Sequence, residues 1–345
     1  MAQEATGNGP NTTLIPLING FMASRVVHVA AELGIADHLA GGPRKIDELA
    51  RSADAHPGAL HRLMRALASA GVFEEVAPRE FALTPMAQYL RSDVAGSARS
   101  LFRWNAVDGK AWGEIVYSVK TGRTAFEKVY GERFFDFLAK NPKEAKLFDE
   151  GMSGFVSMSS AAVVAAYDFS SFRRIVDVGG GYGTLLGMVL AAHPRSSGLI
   201  FEMPHVAEGA RRNLERLGLS SRCEVVAGDF FESVPAGGDA YLLASIIHDW
   251  DDERSRRILE NCRRAMAQSA KLLLVEMVIP PGNDPFPGKV LDLEMLVSLS
   301  GQERTEAEYR ELLAAAGLRL TQIVATRALS SVIEAVPASY RGETA

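Results

Sequence analysis

Arg174-Ile-Val-Asp177-Val-Gly179-Gly-Gly181-Tyr-Gly183-Thr184 is the stretch on which the fold reading turns. A short β-branched run enters a glycine cluster, and Thr184 to Ala192 continues as helical text. A glycine-rich strand-to-helix turn of this kind lets a ligand approach the backbone closely. The spacing decides which ligand. Gly179, Gly181 and Gly183 fit GxGxG, whereas the GxGxxG of a dinucleotide site would need glycine at Thr184 or Leu186.

Outward from this turn, β-branched runs alternate with helix-length segments, the pattern of a parallel sheet wrapped by helices. Strands are expected at Arg174 to Val178, Gly198 to Phe201, Cys223 to Val226, Ala240 to Ala244 and Lys271 to Glu276. Two more follow at Leu318 to Ala325 and Ser331 to Ala335, which makes a doubly wound, seven-stranded Rossmann-like α/β domain over 168–337. In such a sheet the residues just past the strand ends line one crevice. Gly179, Glu202, Asp229, His248 and Glu276 all occupy that position. Glu202 suits the two hydroxyls of a ribose, and Asp229 with Phe230 and Phe231 suits an adenine. A nucleoside site without a pyrophosphate results. His248, the histidine of this set, has an imidazole able to take a proton near neutral pH. Asp251, Asp252 and Glu253 are explained by a helix cap and its acidic first turn.

Before Tyr167 the text is helical, with apolar residues at three and four residue spacing through Leu17, Met22, Val26, Ala30 and Leu33. Ile46 to Ala50, a turn at Asp54 to Pro57, a helix to Ala70 and a hairpin over 72–83 form a winged-helix pattern. Residues 34–91 hold seven Lys/Arg against seven Asp/Glu, which lacks the basic face of a DNA-reading module. A structural or dimerising role for 14–167 is expected instead, with loose tails at 1–13 and 338–345.

The chain has 345 residues, 47% of them hydrophobic and a formal charge of −5, a balance that gives no drive toward nucleic acid or an anionic membrane. Apolar runs such as Leu185 to Ala192 are far short of the roughly 20 residues of a spanning helix. No signal peptide is legible, so a cytoplasmic protein is expected. Cys223 and Cys262 are isolated from each other and from any ligand spacing, and read as buried thiols. No His, Cys or carboxylate cluster has metal-site spacing, so no metal is expected.

The chain resembles the S-adenosylmethionine-dependent O-methyltransferases of the caffeic-acid and hydroxyindole type, which include bacterial antibiotic-pathway enzymes. The resemblance runs over nearly the whole chain, through Ala166-Tyr-Asp-Phe-Ser170, Asp177 to Gly183, Phe201-Glu-Met-Pro-His205, Gly228-Asp-Phe-Phe231, His248-Asp-Trp-Asp-Asp252 and Gly301-Gln-Glu-Arg-Thr305. It implies S-adenosylmethionine as cofactor, held by Asp177, Gly179, Gly181, Glu202, Asp229, Phe230 and Ser245. It further implies His248 as general base flanked by Glu276 and Glu303, and a homodimer formed through the helical half. The second-strand acid of the family is usually Asp and here is Glu202, and Ser245 stands where many relatives carry Lys or Arg. The expected reaction is methylation of a phenolic hydroxyl on an aromatic small molecule. Candidate substrate contacts are Trp104, Met152, Phe155, Met158, Asp249, Trp250 and Met295. Two competing classes stand beside this: a cofactor-binding relative running hydroxylation or pericyclisation, and a ligand-sensing winged-helix regulator.

Overall fold

In the computed structural model, residues 10–339 are described, with side chains from residue 19 onward. The expected tails therefore lie largely outside the described residues, although Pro10 to Thr13 already belong to a helix. Packing divides the chain into two units between Val107 and Asp108.

The first unit opens with α1 (Pro10–Glu32) and α2 (Ile35–His38). Then come β1 (Arg44–Lys45), α3 (Ile46–Ser52), α4 (Pro57–Ser69), β2 (Phe73–Ala77), β3 (Glu80–Leu83) and α5 (Pro85–Gln88). This is the winged-helix pattern, with a small third strand that the sequence did not announce: Arg44 and Lys45 pair with Phe81 and Glu80. Ile35, Leu49, Leu60, Met64, Phe73 and Phe81 are buried in one core that ties the helices to the wing. Thr84 caps α5 by accepting the Ala87 N–H, and Pro57 and Pro85 begin helices where a missing N–H costs nothing. The last helix of this unit, α6 (Arg99–Trp112), runs across the division.

The second unit begins with α7 (Ile115–Thr121), α8 (Ala125–Tyr130), α9 (Phe134–Lys140) and the long α10 (Pro142–Ala166). The sequence placed a boundary at Asp168, where helical text ends, yet these helices belong to the same compact unit as the sheet, and α10 packs with it. Val163 of α10 is buried with Leu185 and Leu186 of α11 (Thr184–Ala192), and the Ser153 and Thr184 hydroxyls meet at 2.8 Å. A change of secondary structure in the text is thus not the place where packing divides.

Seven strands follow in the order β6 (Cys223–Ala227), β5 (Ser197–Glu202), β4 (Arg174–Val178), β7 (Ala240–Ala244), β8 (Lys271–Glu276), β10 (Ser331–Pro337) and β9 (Leu318–Ala325). The first five are parallel, and β10 lies antiparallel between β8 and β9. Both faces are covered, which is why the strands read as continuous apolar runs. Val176, Leu243 and Leu274 pack on α13 (Asp252–Ala265) and α15 (Glu306–Ala315). Ile175, Leu242 and Leu273 pack toward α11 and α12 (Pro204–Arg216) on the other face. The remaining helical text gives α14 (Gly288–Glu294) and a π turn over Met295–Leu299.

One polar knot interrupts this core. Glu334 of β10 accepts from Tyr167 at 2.5 Å, Thr321 at 2.6 Å, Lys271 at 2.8 Å and Gln322 at 3.1 Å. Burial would push its carboxyl up, but those four donors overcome it and hold it at about 2. Glu334→Gln should cost about 2 kcal/mol in chemical denaturation at neutral pH, the scale of hydrogen bonds to a charged group. Because the folded pKa is depressed, that contribution is complete above the unfolded carboxyl's 4.5 and disappears as pH falls through about 2. The variant and the parent should therefore converge in stability in strong acid.

Candidate active site

The carboxyl ends of β4 to β8 place the predicted residues along one edge. After β4, Gly179 has φ 71°, and a Cβ there would stand 2.5 Å from Ile246 Cδ1 and 3.4 Å from the Phe230 ring. The turns after β4, β6 and β7 therefore close on one another at this glycine. Gly181 donates its N–H to Glu202 Oε2 at 2.9 Å, and Glu202 Oε1 accepts from Met203 N–H at 2.7 Å. Burial pushes Glu202 up while these two N–H groups pull it down, for a net rise. The longer glutamate of this chain thus reaches back to fasten the glycine turn. Asp177, fully buried in β4, has its carboxyl raised to about 8, first by burial and then by the charge of Glu202; its Oδ1 has no hydrogen-bond partner.

Asp229 follows β6 and accepts the Phe231 N–H at 2.7 Å. Phe231 meets Trp250 edge-on at 4.7 Å between centroids, and Trp250 stacks on Phe135 at 5.2 Å. A cleft of about 770 Å³ lies beside these rings, lined by Asp229, Phe231, Trp250, Phe134, Phe135 and Arg254 among others. It does not reach His248. After β7, Ser245 takes a left-handed φ of 54°, a strained conformation for a residue with a side chain.

His248 sits in a 3₁₀ turn, Ile247–Asp249. Glu276 Oε1 accepts the N–H groups of Ile246 and Ile247 at 3.0 and 2.8 Å, so the end of β8 caps the turn. The imidazole Nδ1 hydrogen-bonds Glu303 Oε1 at 2.7 Å and lies 3.8 Å from Glu276 Oε2, while Nε2 lies 3.3 Å from Asp249 Oδ1. The sequence led us to expect an ordinary imidazole; the environment is different. Burial pushes it down, but Glu276, Asp249 and Glu303 together outweigh burial and raise it to about 10. Asp249 is raised to about 7, chiefly by burial, and burial raises Glu276 as well.

One ligand-type atom each from His248, Glu276 and Glu303 falls within 4.8 Å of the others, a grouping that the sequence spacing did not reveal. The 2.7 Å contact to Glu303 is hydrogen-bond length, shorter than the roughly 3 Å that separates two ligands of one small ion.

The candidate substrate contacts scatter more widely. Met152, Phe155 and Met158 follow one another along α10, the last of them 52% exposed. Met295 is buried at the start of the π turn, Trp104 is buried on α6 within the first unit, and of the seven residues only Trp250 lines the 770 Å³ cleft. Sequence reasoning missed Asp149 of α10, which meets Tyr182 of the glycine turn at 3.4 Å and is raised to about 7, first by burial. It also missed Asp292, which accepts the Glu303 N–H at 2.9 Å. Neither had a signal beyond helical text.

The site is thus a nucleoside-type crevice with a buried acid–imidazole cluster at its edge, on a mostly parallel α/β sheet. The chain belongs to the O-methyltransferase family: the profile of the O-methyltransferase domain matches residues 112–319, and that of the O-methyltransferase dimerisation domain matches residues 15–93. It is 44% identical to the phenazine O-methyltransferase PhzM of Lysobacter antibioticus, over 95% of this chain and 96% of that protein. It is 39% identical to the 8-amino-8-demethylriboflavin N,N-dimethyltransferase of Streptomyces davaonensis, over 90% of each. The structure of CalO1, a methyltransferase in calicheamicin biosynthesis solved in its SAH-bound form, superposes with TM-score 0.81 at 34% identity, covering 95% of this chain and 98% of that one.

The residues on the loop fit such a cofactor. Nothing lies within 4 Å of where a Gly181 side chain would stand, and the orphaned Asp177 oxygen is buried beside the turn. Gly179→Ala tests the fit. Left-handed strain of about 1–2 kcal/mol and the clash with Ile246 should weaken S-adenosylhomocysteine binding tenfold or more in calorimetry.

Proposed function

We propose that this S-adenosylmethionine-dependent enzyme methylates a phenolic hydroxyl on an aromatic small molecule of secondary metabolism, with His248 as general base. The observation that carries the reading is the imidazole held at the strand-end edge by Glu303 at 2.7 Å, with Glu276 capping its turn. The match to an O-methyltransferase domain and the likeness to a phenazine O-methyltransferase support the acceptor class. Bound S-adenosylmethionine supplies an electrophilic methyl group on a sulfonium.

The chain's own residues do the rest. Glu202 accepts from the ribose hydroxyls with the lone pairs that Gly181 and Met203 leave free. Asp229 and Phe230 take the adenine, with the backbone at Gly179, Gly181 and Ser245 lining the crevice. With the Nδ1 proton shared to Glu303, Nε2 is the nitrogen that takes the acceptor's proton. Glu303 and Glu276 then stabilise the imidazolium. Asp249, 3.3 Å from Nε2, is the acceptor contact that the geometry favours; Trp104, Met152, Phe155, Met158, Trp250 and Met295 remain candidate walls. The raised imidazole is a stronger base than a free histidine, but its neutral form is scarce near pH 7. A phenol, with a pKa of about 10, is well matched to it.

The deciding experiment incubates the protein with S-adenosylmethionine and a pool of phenols and aryl amines in EDTA, and reads the mass of each product. A gain of one methyl on a phenol is expected. Methyl on nitrogen alone, loss of turnover to the chelator, or a product hydroxylated or rearranged without methyl gain would each overturn a named part of the reading. In this assay His248→Ala should lower turnover roughly 10² or more with little change in cofactor affinity. It should also abolish the climb in turnover between pH 7 and about 10 that the raised imidazole predicts. Glu202→Ala should do the reverse, weakening cofactor binding by about 1 kcal/mol or more per ribose hydrogen bond.

The dimerisation-domain match supports a homodimer, and on α1 the apolar side chains Phe21, Met22 and Val29 are 68%, 51% and 39% exposed within the chain. Light scattering should give twice the 37.2 kDa chain mass. A monomer at micromolar concentration would refute the assembly.

A further inference from the structure

Arg304 follows Glu303 in sequence and is 1% exposed, among the largest fully buried side chains of the protein. A buried guanidinium is costly unless its donors are satisfied, and here their targets are informative. Nη1 donates to the carbonyls of Ile247 at 3.0 Å and Gln302 at 3.3 Å. Nη2 donates to the Trp250 carbonyl at 2.9 Å, to Asp252 Oδ1 at 2.8 Å and to Ser255 Oγ at 3.3 Å, and Nε reaches Asp252 Oδ1 at 3.1 Å. The guanidinium therefore gathers carbonyls from both ends of the turn that carries His248 and fastens them to the first residue of α13.

The N–H side of the same turn is held by Glu276. The segment that brings Arg304 in is itself docked on the turn. A Cβ on Gly301 would stand 2.0 Å from the His248 carbonyl oxygen and 2.6 Å from Trp250 N, so backbone rests directly on backbone. Gln302 N–H donates to the His248 carbonyl at 2.9 Å. Glu303 reaches Nδ1 from between these two anchors.

We propose that Arg304 is a positioning residue for His248: its planar fork fixes the turn against the 301–304 segment and so sets the Glu303–imidazole hydrogen bond. The proposal rests on the reading of His248 as the base, and predicts that geometry, not charge alone, matters. Arg304→Lys keeps the charge and loses the fork. Asp252→Ala removes a largely exposed carboxylate that orients the guanidinium from outside, and leaves Arg304 its acceptors at the Ile247, Gln302 and Trp250 carbonyls and the Ser255 hydroxyl.

The test uses full-length protein labelled with ¹⁵N-histidine, with the downfield Nδ1 proton of His248 assigned by its loss in His248→Ala. Binding of S-adenosylhomocysteine and turnover on the acceptor found in the methylation assay are read in parallel. In Arg304→Lys the downfield signal should broaden or vanish and kcat should fall about 30-fold or more, while cofactor affinity stays within about threefold, as expected of misplacement rather than lost binding. Asp252→Ala should move the signal and lower kcat by about three- to tenfold. An unchanged signal with kcat within twofold in Arg304→Lys overturns the proposal, as does a loss of cofactor affinity in parallel with kcat. If Arg304→Lys does not fold, Asp252→Ala decides by the same criteria. The base reading fails separately: His248→Ala with full turnover sinks it, whereas the resonance still reports whether Arg304 holds the imidazole.

Discussion

A carboxylate at the end of a fully buried strand cannot remain there without donors, and Glu276 is such a group. Its answer is to accept the N–H groups of Ile246 and Ile247, which bends the chain after β7 into the short turn that carries His248. Desolvation of one acid thereby determines where the imidazole stands. From that point the arrangement follows: Gly301 is the residue type that lets a second backbone rest on the turn, and Glu303 arrives at Nδ1 as a result.

The same edge concentrates negative charge to an unusual degree. Asp177, Glu202 and Asp149 gather around the glycine turn, and Glu276, Glu303 and Asp249 around the imidazole, with burial raising Asp177, Glu202, Asp149, Glu276 and Asp249. Such clustering destabilises the protein on its own account, since like charges in a poorly solvated crevice repel. It is the kind of cost that a fold bears at a site and offsets in its core. Here the offset is visible in the two apolar layers on either face of the sheet and in the satisfied Glu334 knot.

The sheet was legible because both of its faces are buried. Continuous apolar runs such as Leu272 to Val275 have one reading when flanked by helices, and β4, β7, β8 and β9 begin and end where the text places them. The strand-end residues followed from topology alone. What the sequence could not convey was anything set by contacts far apart in the chain. The direction of β10 depends on its partners β8 and β9, and the raised imidazole depends on three acids, two of them supplied from positions 276 and 303. Arg304 stood within a quoted motif, but nothing in its neighbours told that its donors end on the carbonyls of Ile247 and Trp250. The third strand of the wing, two residues long, is too short for periodicity to register.

The place of β10 has a further consequence for how the chain is made. Among the described residues it is the last strand, and yet it lies inside the sheet, between β8 and β9. During synthesis, β9 has no sheet partner and β8 keeps an open edge until residues 331–337 have left the ribosome. An unpaired apolar edge is a template for association with other chains. Loss of the final strand by premature termination would therefore produce not a shortened enzyme but a sticky one, with Tyr167, Lys271 and Thr321 deprived of the carboxylate they share.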